Sequence, residues 1–112
     1  MPSPEVRIEH RYPTALSFLR EQGPQALAVL HDLLARSERR NGALVSQAST
    51  REIADRLQFL SKDSVHRCLR QLARAGVVEP VDRQPGSPFR ATAYIIHLDE
   101  SGISVVPDGR SA

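Results

Sequence analysis

Cationic side chains recur at helical spacing between positions 62 and 74, and they are the residues of this 112-residue chain best suited to chemistry. The stretch begins at Lys62 and carries four basic residues against a single acid. At about 100° per residue around a helix axis, one side of it collects Asp63, His66, Arg67, Arg70 and Arg74. Guanidinium groups bind phosphate oxygens and guanine edges, often through two hydrogen bonds at once. The spacing therefore predicts a helix face that binds a nucleic acid, with an ordinary solvated face as the alternative.

The other side of the same stretch is apolar, which indicates how the helix is held. The stripe at i, i+3, i+4 and i+7 consists of Val65, Cys68, Leu69 and Leu72. Ser61 is a suitable N-cap, and Gly76 is a suitable terminator. We therefore expect a helix over 62–75 whose cationic face points away from the core.

A second amphipathic helix precedes the cationic one. Ser49 and Glu52 have the spacing of a capping box, in which each side chain accepts a hydrogen bond from the other residue's backbone N–H. The apolar stripe that follows consists of Ile53, Ala54 and Leu57. Two short helices joined by a tight turn are the outline of a helix-turn-helix.

These helices and the strand pattern after them resemble the winged helix-turn-helix domains of bacterial transcriptional regulators of the MarR, GntR and ArsR types. The matching positions are Ile53-Ala54, Leu57, Ser61, Val65, Leu69, Leu72 and Gly76. The resemblance covers roughly residues 24–98. It implies an α+β, mainly α fold, with a three-helix core and a small antiparallel β-wing. It also implies DNA binding, with the second helix in the major groove and the wing on the backbone.

The turn between the two helices departs from the family pattern, because Gln58, Phe59 and Leu60 fill it and no glycine follows Leu57. Either the first helix runs on by one residue, or the turn is wider than in the family. The apolar pair Phe59-Leu60 is either part of the core or an exposed docking patch, and we expect core packing.

The segments on either side of this unit complete the predicted order of elements. Apolar residues at helical spacing predict a further helix over 25–40, with Pro24 in its first turn and Asn41-Gly42 as its stop. Residues 44–46 then predict a small strand that pairs with the wing. The whole is a helix, strand, helix, helix, strand, strand order.

The wing itself is predicted as a hairpin. Valines over 77–81 indicate one strand, residues 84–88 are dense in turn formers, and 91–98 indicate the returning strand. Arg83 and Arg90 flank the turn, so both cations are expected near the hairpin tip, where such wings contact phosphates. Two solvated loop arginines are the alternative.

The chain ends are predicted to extend a domain over 13–100. Residues 1–12 contain prolines, alternating charge and few apolar side chains, and are predicted as a flexible N-terminal arm. Residues 13–20 predict a short leading helix. In the C-terminal extension over 101–112, residues 103–106 predict a strand that extends the wing sheet or forms a dimer edge, before a frayed tail.

Length and composition favour a single domain with a modest core, since 40% of the residues are hydrophobic. The net charge is only +2, so the cationic stretch is a local feature. No secretory signal and no membrane span are recognisable, which predicts a cytoplasmic protein. A chain of this size has no room for an effector pocket beside its core, so no small-molecule ligand is expected.

Catalysis and metal binding find no support in the residue spacing. The four histidines are dispersed, and none has the spacing of a ligand set. No nucleophile motif, phosphate-binding loop or pair of carboxylates in an apolar setting is present. The single Cys68 is expected to pack as a small hydrophobe, with redox sensing as the weaker alternative. We therefore expect no enzyme, no cofactor and no metal.

The sequence thus predicts a transcriptional regulator, or a plasmid or phage control factor, that binds double-stranded DNA as a homodimer. Contacts to base edges are expected from Ser64, His66, Arg67 and Arg70. Contacts to the DNA backbone are expected from Arg51, Ser61, Lys62, Arg74, Arg83 and Arg90. The alternative function is a winged-helix module that docks on a partner protein through the Phe59-Leu60 turn or the strand predicted over 103–106. Binding of structured RNA lacks an aromatic platform.

Overall fold

The computed structural model describes residues 6–81, 92–98 and 101–107, which form four helices and small antiparallel sheets. The α+β class predicted from the sequence is confirmed. In chain order, the elements of the described ranges are β1 (Val6–His10), α1 (Thr14–Gln22), α2 (Pro24–Ala35), β2 (Glu38–Arg40), β3 (Ala43–Ala48), α3 (Thr50–Leu57), α4 (Lys62–Arg74), β4 (Val78–Val81), β5 (Thr92–Ile96) and β6 (Ile103–Pro107).

The strands form two sheets, one with the order β2-β3-β5-β4 and one that pairs β1 with β6. In the larger sheet Ala48, the last residue of β3, lies opposite Thr92, the first residue of β5. Val81, the last residue of β4, lies opposite Ala93. The C-terminal end of β4 and the N-terminal end of β5 therefore lie at the same end of the sheet as the start of α3 at Thr50.

The core lies where α2 packs against α4, α3 and the larger sheet. Leu30, Leu33 and Leu34 of α2 are fully buried, as are Val65 and Leu72 of α4. Each buried side chain of this size stabilises the fold by about 1.5–3 kcal/mol. Only one face of α4 is buried, so the packing of that face also determines the direction in which the exposed face points.

The helix predicted over 25–40 ends early, at Ala35. Residues Glu38–Arg40 form β2, and Asn41-Gly42 is the two-residue turn of the β2–β3 hairpin. Both turn residues have positive φ, 52° at Asn41 and 82° at Gly42. Asn-Gly is the favoured pair for a two-residue hairpin turn with φ above zero at both positions. The prediction that Asn41-Gly42 stops a helix is therefore wrong, whereas the small strand after it is confirmed as part of β3.

The prediction of a flexible arm over 1–12 is wrong for Val6–His10, which forms β1 and pairs with β6. The alternation of charged and apolar residues has the period of a strand. Arg7 and Glu9 are exposed and form an ion pair at 3.2 Å, while Ile8 packs against the core. The predicted C-terminal strand is confirmed as β6, but it pairs with β1 rather than with the sheet of the predicted wing.

Other predicted elements lie where the residue patterns placed them. The leading helix is confirmed as α1, which buries Phe18. The two strands of the predicted hairpin are confirmed as β4 and β5, and Pro80 is accommodated because β4 is an edge strand. Arg83, Arg90 and the predicted turn over 84–88 lie outside the described residues. No helix in the described ranges is long and apolar enough to cross a membrane.

Candidate nucleic-acid interface

The start of α3 is fixed by the predicted capping box. The Ser49 hydroxyl accepts a hydrogen bond from the Glu52 backbone N–H at 3.1 Å, and Glu52 Oε1 accepts one from the Ser49 backbone N–H at 3.0 Å. Hydrogen bonding of the Glu52 carboxylate to the Ser49 backbone N–H, and secondarily to the Ser49 side chain, lowers the pKa of Glu52. Two orphan N–H groups at the helix start are satisfied in this way. Arg51 is exposed in the same turn.

The turn between α3 and α4 is the wider of the two predicted forms. The helix ends at Leu57, and Gln58 adopts a left-handed conformation with φ 65°. Phe59 is 65% exposed, whereas Leu60 is 6% exposed and joins the core. The expectation of core packing is therefore confirmed for Leu60 and wrong for Phe59. A left-handed residue reverses the chain within one position, and this leaves Phe59 pointing outward.

Helix α4 separates its side chains as the spacing predicted. Its buried residues are Val65, Cys68, Leu69 and Leu72. The exposed ones include Lys62, Asp63, His66, Arg67, Arg70 and Arg74. Within the described ranges, Lys62, Arg70 and Arg74 make no ion pair with a carboxylate. The face therefore presents uncompensated positive charge to solvent.

Two serines at the start of α4 are tied to each other and to Arg67. Ser61 Oγ accepts a hydrogen bond from the Ser64 backbone N–H at 3.1 Å and donates to Ser64 Oγ at 3.1 Å. Arg67 Nη2 donates to the same Ser64 Oγ at 3.4 Å. Ser61 is thus engaged in capping, while the hydroxyl proton of Ser64 is left to donate to an acceptor on a ligand.

An ion pair and a hydrogen bond between helices orient α3 and α4 in the core. Arg56 of α3 forms a forked ion pair with Asp32 of α2, with Nη2 to Oδ2 at 2.7 Å and Nε to Oδ1 at 2.9 Å. The hydrogen bond to Asp32 raises the pKa of Arg56 above its usual value. A second contact joins α4 to α1, because Gln71 Nε2 of α4 donates to the backbone carbonyl of Gln22, the last residue of α1, at 2.7 Å. These contacts hold the exposed face of α4 in a defined direction.

The single cysteine faces the core, as predicted. Cys68 is 4% exposed, and burial raises the pKa of its thiol although Arg67 acts in the opposite direction. The thiolate is the reactive form of cysteine. Its burial and raised pKa argue against the redox-sensing alternative.

The fold also brings together two histidines that residue spacing did not connect. His10 at the end of β1 and His31 on α2 have their Nε2 atoms 3.1 Å apart. Burial, and then the neighbouring His10, lowers the pKa of His31. Among the described residues, no group of three or more His, Cys, Asp or Glu side chains has the arrangement of a metal site. No sequence signal indicates the pair, because strand pairing rather than local spacing carries His10 to α2.

Comparisons of the chain with protein-family models, with curated proteins and with solved structures found no match. A functional assignment therefore depends on the residues and their geometry alone.

Proposed function

We propose that this chain is a winged helix-turn-helix protein that binds double-stranded DNA in a sequence-specific manner, as a transcriptional regulator or a plasmid or phage control factor. The observation that carries the proposal is the two-sided character of α4. One face is buried by Val65, Leu69 and Leu72, and the other exposes cations without carboxylate partners among the described residues. A helix held in this way can enter the major groove without losing its packing.

The order of elements agrees with this proposal. Apart from the additional strand β2 between α2 and β3, the order α2, β3, α3, α4, β4, β5 is that of a winged unit. One end of the larger sheet combines the start of α3 with the C-terminal end of β4 and the N-terminal end of β5. A DNA backbone that passes this end would meet Arg51, which is exposed at the start of α3.

The proposed contacts divide by chemistry. Arg67 and Arg70 are suited to guanine edges, and His66 and Ser64 provide further donors near the helix start. Lys62 and Arg74, near the two ends of α4, are suited to phosphates. Phosphate contacts set the register on the duplex, whereas base contacts give the sequence preference. Dimerisation is part of the proposal because a single module of this size buries little DNA interface.

A selection experiment tests the proposal directly. The purified protein is incubated with a randomised duplex pool at two salt concentrations, and the retained DNA is sequenced. We expect enrichment of a palindrome whose half-sites lie about one helical turn apart, with weaker retention at higher salt. Retention without an enriched motif would indicate phosphate contact only. No retention at low salt would refute DNA binding.

Substitutions then separate base contacts from phosphate contacts. Arg70→Ala should weaken binding to the selected sequence by about 10- to 100-fold and binding to random DNA much less. Arg74→Ala should weaken binding to the selected sequence and to random DNA alike. The slope of log K against log salt concentration should become shallower by about one, as expected for the loss of one phosphate contact. Arg39→Ala is the matched control, because it removes an exposed arginine at the opposite end of the sheet, beside the β2–β3 turn. Equal losses in all three variants would mean that only net charge matters.

The second candidate function is docking on a partner protein, and Phe59 is the observation that favours it. Its 65% exposure in the α3–α4 turn places an aromatic ring on the surface. Aromatic side chains are enriched among residues that dominate protein interfaces. If Phe59→Ser abolishes a complex with a partner protein but leaves the selected DNA sequence unchanged, the turn docks on a protein independently of DNA binding. The predicted alternative surface on 103–106 is disfavoured, because Ile103 and Val105 are buried.

A further inference from the structure

His10 and His31 form the one contact between two imidazole rings among the described residues. They are 21 positions apart, and their ring centroids lie 5.1 Å apart with the planes tilted by 59°. His10 closes β1, whose partner is β6, and His31 lies on the core helix α2. Both side chains are half-buried. The contact therefore joins the sheet formed by the two chain ends to the helical core.

The separation of the two nitrogens is that of adjacent ligands on a metal ion. With nitrogen ligands at about 2.0–2.1 Å from a Zn²⁺ ion, nitrogens 3.1 Å apart subtend an angle of about 100° at the metal. This angle lies between the values for square and tetrahedral coordination. In this hydrogen bond one Nε2 carries the proton and the other accepts it. When a cation binds, the donor ring carries its proton on Nδ1 instead, so that both Nε2 lone pairs can face the cation.

We propose that His10 and His31 together bind a divalent transition cation of the Zn²⁺ class through their Nε2 atoms. Imidazole nitrogen suits zinc, copper and nickel, whereas calcium and magnesium prefer oxygen ligands. Water completes the coordination, because two side chains fill only part of it. The bound cation fastens β1, and through it β6, to α2. This site is independent of the proposed DNA interface on α4.

The affinity expected of two histidines is moderate, with a dissociation constant of order 10 μM. The full chain, free of affinity tags and treated with a chelator that is then removed, is titrated with zinc chloride by calorimetry at neutral pH. We expect one Zn²⁺ per chain. In parallel, ring-proton NMR of the unsubstituted protein should show large shifts for two of the four histidines. A saturating cation should also raise the thermal midpoint by several degrees, since it binds only the folded pair.

Two variants and one control assign the ligands. His10→Gln and His31→Gln should each weaken zinc binding at least tenfold, whereas His66→Gln, which removes an exposed histidine on α4, should bind as the unsubstituted chain does. Zinc binding that survives either of the first two substitutions, or that His66→Gln lowers equally, would overturn the proposal. Affinity weaker than about 1 mM would also overturn it and leave only the hydrogen bond. If either variant fails to fold, the NMR assignment of the shifted histidines decides, because it uses the native chain.

Discussion

The forked ion pair between Asp32 and Arg56 should be one of the few polar contacts in this protein whose removal markedly lowers stability. It joins α2 to α3 with nitrogen–oxygen distances of 2.7–3.1 Å. The side chain of Asp32 is 9% exposed and that of Arg56 is 21% exposed. Exposed pairs contribute about 0.2–1 kcal/mol, whereas breaking a fully buried pair costs about 3–5 kcal/mol. We therefore expect a coupling free energy of about 2 kcal/mol between the two residues.

A double-mutant cycle measures this coupling. The free energy of unfolding in urea is determined for the unsubstituted chain, Asp32→Ala, Arg56→Ala and the double variant. Arg56→Ala alone should cost about 3 kcal/mol, because it leaves the Asp32 carboxylate largely out of water without a partner. The double variant should be less destabilised than the sum of the single variants. The coupling should change little with salt, since a partly buried pair is weakly screened.

The matched control is the pair formed by Glu38 and Arg40 on β2. Its nitrogen–oxygen distance is 2.9 Å, but the two side chains are 67% and 62% exposed. The same cycle on this pair should give a coupling of about 0.5 kcal/mol or less. Equal couplings in the two pairs, or a value below about 0.5 kcal/mol for Asp32 and Arg56, would refute the argument from burial.

Backbone conformation and capping give four further predictions for the free energy of unfolding. Gln58→Gly should stabilise the chain by about 0.5–1 kcal/mol in urea unfolding, because φ is 65° at this position, and a loss would show that the glutamine side chain contributes. Gly102→Ala should cost clearly more than Gly76→Ala, since φ is nearly the same but a Cβ at Gly102 would lie 2.6 Å from a backbone nitrogen while Gly76 faces open space; equal melting midpoints would contradict this. Ser49→Ala should cost about 1 kcal/mol. Folding lowers the pKa of Glu52, so the stability that its carboxylate contributes should be fully present above pH 4.5 and be lost as the pH falls further. If the difference in unfolding free energy between the unsubstituted chain and Glu52→Gln stayed constant as the pH fell, this prediction would be wrong.

Local patterns predicted the helix pair well because their causes are local. The capping box at Ser49, the cap at Ser61 and the apolar stripe of α4 act over three or four residues, so spacing alone identifies them. The same spacing placed the cations of α4 on one face, where the structure has them. The placement of the α4 cations on one exposed face was therefore predictable from the sequence. The outward position of Phe59 was not, because it follows from the left-handed Gln58.

The errors arose where one local pattern is compatible with two structures. Asn41-Gly42 suits a helix end as well as a hairpin, and only the pairing of β2 with β3 decides between them. In β1, alternating charge is typical of a disordered segment and of a strand with one solvated face. The presence of β6 as a partner decides this second case.

The sequence by itself determined the α+β class, the two capped helices and the side of α4 that carries positive charge, because these depend on neighbours within one or two turns. Tertiary structure decided which distant segments meet. The pairing of β1 with β6, the ion pair of Asp32 with Arg56 and the contact of His10 with His31 join residues far apart in the chain. Such contacts form only when burial of the shared core offsets the entropy of closing long loops. That balance is a property of the whole fold, and no local spacing records it.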